Sequence, residues 1–320
     1  MSVLRRVVGI VRPGSVAVGI AVLLAGIFPV DPLPGTSTGM RGVDGQFSGK
    51  QGEVLLIRVP VGEVREGPPS VSGRFADRAI PFFRDSSATP SGSDRALVFI
   101  GLLGLDMQET PGTHELRVEV KSPAGTRQLS YNVLVIRERY PVQRLDLPRE
   151  MVDLDEEHLI RVKAEQEQVR TVLDAVSPEK LWSGGFIEPL QGQPSGAFGG
   201  VRIINGQPRS PHNGEDIAAP MGTEVVATND GIARLTVDHF FSGKGVVLDH
   251  GLGLYSMYFH LSEISVHDGE PVKRGQLVGK VGTSGRATGP HLHWAVRLNG
   301  SRVNPYSLVK LPLPSTSTLP

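Results

Sequence analysis

The chain is predicted to be mainly β, and three features of its sequence predict it. Apolar and polar residues alternate at two-residue spacing through Thr113–Val120, and again at Leu292, Trp294, Val296 and Leu298. That is the period of a strand with one buried face. Asn299-Gly300 follows the second run at once, and a type I′ hairpin turn needs such a pair because both of its central residues take positive φ. Short strand candidates at near-regular spacing, separated by turns, run through residues 49–138.

From the amino terminus, Arg5, Arg6 and Arg12 precede an uncharged, largely apolar stretch from Pro13 to Val30. A basic flank before an apolar segment reads as an N-terminal membrane/signal segment over residues 1–30, either a signal anchor or a signal peptide. Its 18 apolar-region residues lie near the lower limit for a spanning helix, and no Ala-x-Ala cleavage site follows, which favours the anchor. Everything after Asp31 is then exported to the cell envelope, on the periplasmic or extracellular side, with the membrane as partner of this segment. Residues 31–48 form a Gly/Pro/Ser/Thr linker.

Residues 49–138 read as a β-sandwich. Glu53–Val59, Ala96–Ile100 and Thr113–Val120 are strand candidates, and Pro123-Ala-Gly125 marks a hairpin turn. It carries no chemical constellation, so its expected role is spacer or packing partner. The alternative is occlusion of a groove or binding of a regulatory protein. Residues 139–182 form a helical connector: Asp153-Leu-Asp-Glu156 has a capping-box pattern, and Val162, Gln166, Val169, Leu173 and Val176 recur at helical spacing. Glu165, Glu167 and Arg170 are expected on its solvated face. Ser177-Pro178 is expected to open a further short turn, with Ser as cap and Pro at the first helical position. Residues 183–310 make a second, antiparallel β domain, and 311–320 a flexible tail.

Lysine plus arginine balance aspartate plus glutamate at 33 each. No net positive field exists to offset phosphate charge, so a nucleic-acid partner is excluded. Cysteine is absent, which rules out thiolate ligands and disulfides and leaves an oxidising compartment permitted.

His291-Leu-His293 begins the last strand, and alternation places both imidazoles on the face opposite Leu292 and Trp294, roughly 7 Å apart. A second cluster, His212-Asn-Gly-Glu-Asp216, pairs a histidine with a carboxylate in a Gly/Pro-rich stretch. Imidazole nitrogens and a carboxylate oxygen are a usual zinc ligand set, and three such ligands leave a fourth position for water. A third candidate strand, Leu254–His260, puts Ser256, Tyr258 and His260 on one side and Tyr255, Met257 and Phe259 on the other.

Residues from about Phe186 to Tyr306 resemble the lysostaphin/LytM-type zinc metallopeptidases of bacterial peptidoglycan. The resemblance rests on landmarks in order: Ala197-Phe-Gly199, Arg209-Ser-Pro-His212-Asn-Gly-Glu-Asp216, Gly222–Ala227, Leu248-Asp-His-Gly251, Tyr258-Phe-His260-Leu261, Val272–Gln276, Gly282-Thr-Ser-Gly285, Thr288-Gly-Pro-His291-Leu-His293 and Val303-Asn-Pro305. It implies a LytM-type antiparallel β catalytic domain in which His212, Asp216 and His293 bind Zn²⁺ while His260 and His291 flank the water. Hydrolysis of peptide stems or bridges of peptidoglycan follows from it, with Arg202 either a basic substrate-binding residue in the groove or a solvated surface arginine. Either His260 or His291 can serve as principal base, and His260 is placed to donate to the oxygen that turns negative. The sandwich is similar to the immunoglobulin-like modules found ahead of some peptidases of this type.

The remaining histidines are assigned elsewhere: His250, beside a glycine turn, to a structural hydrogen bond, and His114, His158, His239 and His267 to exposed positions. Glu215 replaces an apolar residue common in the family between the first two ligands. Two other readings compete. Metal-free relatives activate other wall hydrolases, but they lack ligands that are present here. The segment Gly269–Gly282 resembles biotinyl and lipoyl carrier repeats, yet it lacks a modifiable lysine in Met-Lys-Met or Asp-Lys-Ala, so only β-hairpin architecture is shared.

Overall fold

Alternation becomes pairing in the computed structural model, which describes residues 45–62, 67–85, 97–146 and 154–314. The membrane/signal segment expected at 1–30 lies outside the described residues, as does the linker up to Asp44. Among the described residues no helix is long and apolar enough to cross a membrane.

The first strands are β1 (Gln46–Lys50), β2 (Val54–Gly62), β3 (Ser70–Phe75), β4 (Arg78–Arg84), β5 (Leu97–Gly104), β6 (Gly112–Ser122) and β7 (Gly125–Ile136). They pair in the order β1-β7-β6-β3-β4-β5-β2, with β1 parallel to β7 and the other neighbours antiparallel. Residues 78–81 of β4 pair with β3 and residues 82–84 with β5, so β4 passes from one leaf to the other. Ile57, Phe75, Leu103, Leu116, Val118 and Val133 fill the space between the leaves.

β5 explains how this body meets the next. Its run Leu-Val-Phe-Ile-Gly-Leu-Leu-Gly is apolar on both faces, the signature of a strand covered on both sides. Phe99 and Leu103 enter the sandwich core, whereas Ile100 and Leu102 face outward into a second core. Burying each of these leucine-sized side chains is worth about 1.5–3 kcal/mol.

The second body comprises β8 (Val142–Leu145), α1 (Glu156–Asp174), β9 (Gln193–Gly196), β10 (Val201–Ile204), β11 (Gln207–Pro208), β12 (Glu215–Ala218), β13 (Glu224–Val226) and β14 (Gly231–His239). It continues with β15 (Gly243–Gly251), β16 (Leu254–Ile264), β17 (Pro271–Val272), β18 (Leu277–Val281), β19 (His291–Leu298), β20 (Ser301–Val303) and α2 (Pro305–Val309). The main path runs β17-β14-β15-β16-β19-β12-β9, so β19 lies between β16 and β12. One face packs Leu248, Tyr258, Leu292 and Trp294 into a core. The other gathers Val247, Tyr255, Met257, Phe259 and Ala295, and α1 covers it with Val169, Val172 and Leu173. At the far end, Leu254, Val296, Leu298 and Val303 join Val54, Ile100 and Leu102 of the sandwich in a shared core with Trp182 and Phe186.

The hairpin predicted from Asn299-Gly300 forms as expected, both residues at positive φ, between β19 and β20. Other expectations need correction. Part of the linker, from Gln46, is strand β1, because its backbone pairs with β7. The helix starts at Glu156 with Asp155 as N-cap, whose carboxylate accepts the His158 N–H at 2.9 Å, and Val176 lies beyond its end, exposed. Ser177-Pro178 starts no helix: the Ser177 hydroxyl binds Asp249 and its carbonyl accepts from Leu252 N. β17 and β18 do not form a hairpin with each other, since β17 pairs with β14 and β18 with β13 and β16. The tail is packed at its start, where Leu311 is buried in the shared core.

Candidate metal centre

β19 sets the site because its neighbours on either side present residues to the same face. Asp216 of β12 lies directly opposite His293, and Phe259 of β16 lies opposite it on the other flank. His212, on the loop before β12, completes the group. Its Nε2 lies 2.9 Å from His293 Nδ1 and 3.0 Å from Asp216 Oδ1, and His293 Nδ1 lies 2.8 Å from the same oxygen. His212, Asp216 and His293 are nearly buried, each less than a tenth exposed. The glycine of His212-Asn-Gly-Glu-Asp216 makes this packing attainable: a Cβ on Gly214 would come within 2.6 Å of the Trp294 carbonyl and 2.7 Å of the His293 ring.

Backbone carbonyls fix the imidazoles. His212 Nδ1 donates to Ala197 O at 3.1 Å, which leaves Nε2 with its lone pair aimed at the cluster. The Ala197–Gly200 strap that supplies this carbonyl is itself tied to His212, through Gly199 N to His212 O and His212 N to Gly200 O. Phe198 of the strap meets Tyr140 edge to face, and the Tyr140 hydroxyl donates to Gln51 O in the turn after β1.

His260 and His291 stand beside the cluster, their rings 4.7 Å apart, with His291 Nε2 3.8 Å from Asp216 Oδ1. Each donates from Nδ1 to a carbonyl at 2.8 Å, His260 to Ser284 O and His291 to Gly289 O. In the neutral ring Nε2 is then the free acceptor. His260 reaches this place against the alternation of its strand. Tyr258 and Ser256 point into the opposite face, bonded to one another there, so a regular strand would have carried His260 with them. A bulge in the β15–β16 pairing intervenes, and His260 adopts φ +62°, a left-handed conformation that re-aims its side chain.

Electrostatics follow from burial and partners. Burial opposes ionisation of Asp216, but the hydrogen bonds of His212 and His293 overcome it and hold the carboxyl below the usual range. Burial lowers His260 to about 3, reinforced by the nearby His293. Arg202, on β10, donates from a terminal nitrogen to Asp216 Oδ2 at 3.1 Å, so the residue expected in a substrate groove also holds a member of the cluster. Glu215 faces the other side of β12, buried and bonded by Asn304 at 3.0 Å. His250 is fully buried, between Asp230 O and the Ser256 hydroxyl at 2.7 Å each. His114, His158 and His239 are half-buried rather than exposed, and His158 packs its ring on Phe240 at 4.8 Å. The supports that the sequence did not disclose are Ala197, Ser284 and Gly289, whose contribution is a backbone carbonyl that any residue type could offer.

Residues 210–305 match the profile of Peptidase family M23. A crystal structure of a candidate peptidase M23 from Pseudomonas aeruginosa is 32% identical, with a TM-score of 0.61 over 81% of this chain and 94% of that one. The chain belongs to peptidase family M23. Because 81% of the chain reaches well beyond the profile match, the likeness to that structure is not confined to residues 210–305. The chain is also 42% identical over 111 residues to the peptidoglycan DD-endopeptidase ShyA of Vibrio cholerae serotype O1, covering 35% of this chain and 25% of that protein. It is 45% identical over 103 residues to the DD-carboxypeptidase/endopeptidase Mpg of Neisseria meningitidis serogroup B, covering 32% and 24%. The matches thus span about a quarter of these curated relatives.

Proposed function

We propose that this chain is a zinc metalloendopeptidase that hydrolyses peptide cross-links of bacterial peptidoglycan. The observation that carries the reading is the convergence of His212 Nε2, Asp216 Oδ1 and His293 Nδ1 within 3.0 Å of one another. Two imidazoles and one carboxylate, among described residues that form a single such histidine–carboxylate group, fit zinc in ligand type and number. A bound Zn²⁺ supplies Lewis acidity, polarising a carbonyl oxygen and acidifying water.

The remaining chemistry falls to His260 and His291. With Nδ1–H committed to a carbonyl, each presents Nε2 as a proton acceptor in the neutral state. Donation to a developing oxyanion or to the leaving nitrogen therefore requires that the ring first take up a proton. One histidine removes the proton of the attacking water and, as imidazolium, becomes the donor. Burial keeps His260 neutral beforehand.

The relatives named as peptidoglycan endopeptidases support the substrate class. Residues 1–30 act as the export signal or membrane anchor of this reading, and residues 183–310 as its peptidase domain. Residues 49–138 are read as an immunoglobulin-like sandwich, supported by β3, β6 and β7 adjoining in one leaf and β4, β5 and β2 in the other. The activator alternative has less support, since such relatives lack ligands that stand intact here. Metal analysis should find close to one zinc per chain, and digestion of purified peptidoglycan should release new amino groups with no new reducing sugar ends. Metal-free folded protein, or sugar ends without amines, would overturn the assignment.

A further inference from the structure

His212 is the one member of the cluster that no strand ladder fixes. Asp216 and His293 face each other across β12 and β19, whereas His212 sits on the loop before β12 and takes its placement from the Ala197–Gly200 strap. The strap is a four-residue connection between β9 and β10 that contains two glycines. Such a segment has little stiffness of its own, so its position comes from what it rests on.

It rests on the sandwich. Gly199 takes φ +77° with the Tyr140 ring lying where a Cβ would stand, and Val201 N, just past the strap, donates to Pro141 O at 2.8 Å. The Phe198 ring meets Tyr140 edge to face and also closes on Gly52, where a Cβ would come within 2.6 Å of it. Tyr140 in turn donates its hydroxyl proton to Gln51 O at 2.9 Å. The strand carrying Asp216 reaches the same turn by another route: Glu215 accepts from Asn304 Nδ2 at 3.0 Å, and Asn304 N donates to Gly52 O at 2.7 Å. Two adjacent carbonyls of the sandwich, Gln51 O and Gly52 O, therefore each hold one of the two segments that bring His212 and Asp216 together.

The turn has the rigidity that this requires. Gln51 N donates to Ile136 O at 3.0 Å and Gly52 N to Leu105 O at 2.8 Å, while the Gln51 side chain donates to Glu109 O at 2.6 Å and accepts from Glu138 N at 3.0 Å. Around these bonds the seam is open, with a cavity of about 330 Å³ bordered by Glu53, Glu138, Phe198, Glu215 and Lys310. Few contacts share the load.

We infer that the Gln51-Gly52 turn and Tyr140 are positioning elements of the metal centre: the sandwich sets where His212 stands relative to Asp216, and so how tightly the cluster holds zinc. The inference rests on the zinc reading above and gives the sandwich a part in it beyond that of a spacer. Groups that orient a metal ligand from outside the coordination shell are worth about 10–100-fold in metal affinity. Tyr140 acts at this remove, through the strap that offers Ala197 O to the His212 ring.

The test uses the full-length protein stripped of metal. Zinc affinity is measured by competition with a chromophoric chelator, and the visible spectrum of the Co²⁺ form reports ligand geometry. Tyr140→Ala should weaken zinc binding roughly 10–100-fold and alter the Co²⁺ bands. Tyr140→Phe keeps the ring on Gly199 and loses only the bond to Gln51 O, so its affinity should fall about 3–10-fold. Val118→Ala opens a cavity in the sandwich core, and Val118 takes part in none of these contacts; it should lower Tm while zinc affinity and the bands stay as in the parent. Parental affinity in both Tyr140 variants, or an equal loss in Val118→Ala, would overturn the positioning role and leave the zinc reading standing. Should Tyr140→Ala fail to fold, Tyr140→Phe decides alone. A parent that binds no zinc would overturn both readings.

Discussion

His291 and His293 share a face of β19 yet keep different company, and single substitutions separate them. His293→Ala removes an atom that meets both His212 and Asp216, so zinc content and activity should fall together. His291→Ala leaves that group whole, so zinc should stay bound while turnover falls roughly 10²–10⁴-fold. Metal analysis and cleavage rates on the same preparations check this, and the reverse pattern would exchange the two roles. The shared face was legible because a strand has period two. His260 was named only through the resemblance, and alternation put it on the wrong face, because a bulge that no residue type announces brings it to the site. His250 makes a different prediction, about stability. Burial lowers its pKa from 6.5 to about 4, so between those values the unfolded chain binds a proton that the folded chain does not. His250 therefore costs nothing above pH 6.5 and removes stability as the pH falls toward 4, on the order of 3 kcal/mol in all. Thermal melts across that range should show a shallower pH dependence in His250→Gln than in the parent. Parallel curves would contradict the assignment.

The loops of the site depend on α1, which the sequence marked as a connector with a solvated face. Glu167 and Arg170 do pair in solvent, but Glu165 accepts from Phe240 N at 2.9 Å and Arg161 donates to Asp238 O at 3.1 Å. The helix thus grips the β14–β15 turn, whose Ser242 carbonyl accepts the His260 N–H at 2.9 Å. Across from it, the Ser284 hydroxyl accepts from Lys244 N at 2.8 Å and donates to Leu261 O at 2.7 Å, while the Ser284 carbonyl orients the His260 ring. Ser284→Ala keeps the carbonyl and loses the brace. Its zinc content should match the parent, kcat should fall about 3–10-fold for the loss of a hydrogen bond worth about 1 kcal/mol, and Ser284→Thr should recover most of it. An unchanged kcat would show the brace to be dispensable. The helix itself could be read from periodicity. Its grip on the turn could not, because Glu165 was one charge among several until the fold gave it a backbone partner.

At the scale of the molecule, the division into β modules was visible in composition, but their mutual packing was not. The clue was β5, apolar on both faces, which only later proves to serve two cores. Beside it, strand β20 docks on the sandwich: Asp106 accepts from Arg302 N, Nε and a terminal nitrogen at 2.6–3.0 Å. Asp106→Ala should lower stability by about 1–3 kcal/mol, seen as a lower Tm with a single transition for both bodies. Two separated transitions would show that the bodies unfold independently. Gly104 gives this junction a historical consequence. A Cβ there would lie 3.0–3.3 Å from Val303, Ser301 and Leu298, so the two surfaces cannot drift separately. In full-length homologues, enlargement at position 104 should be accompanied by shrinkage at 301 or 303, whereas peptidase domains fused to other partners should vary freely at those positions. Recombination that exchanges the sandwich alone should yield hybrids that fail to close this seam, unless the Ser301–Val303 strand travels with it.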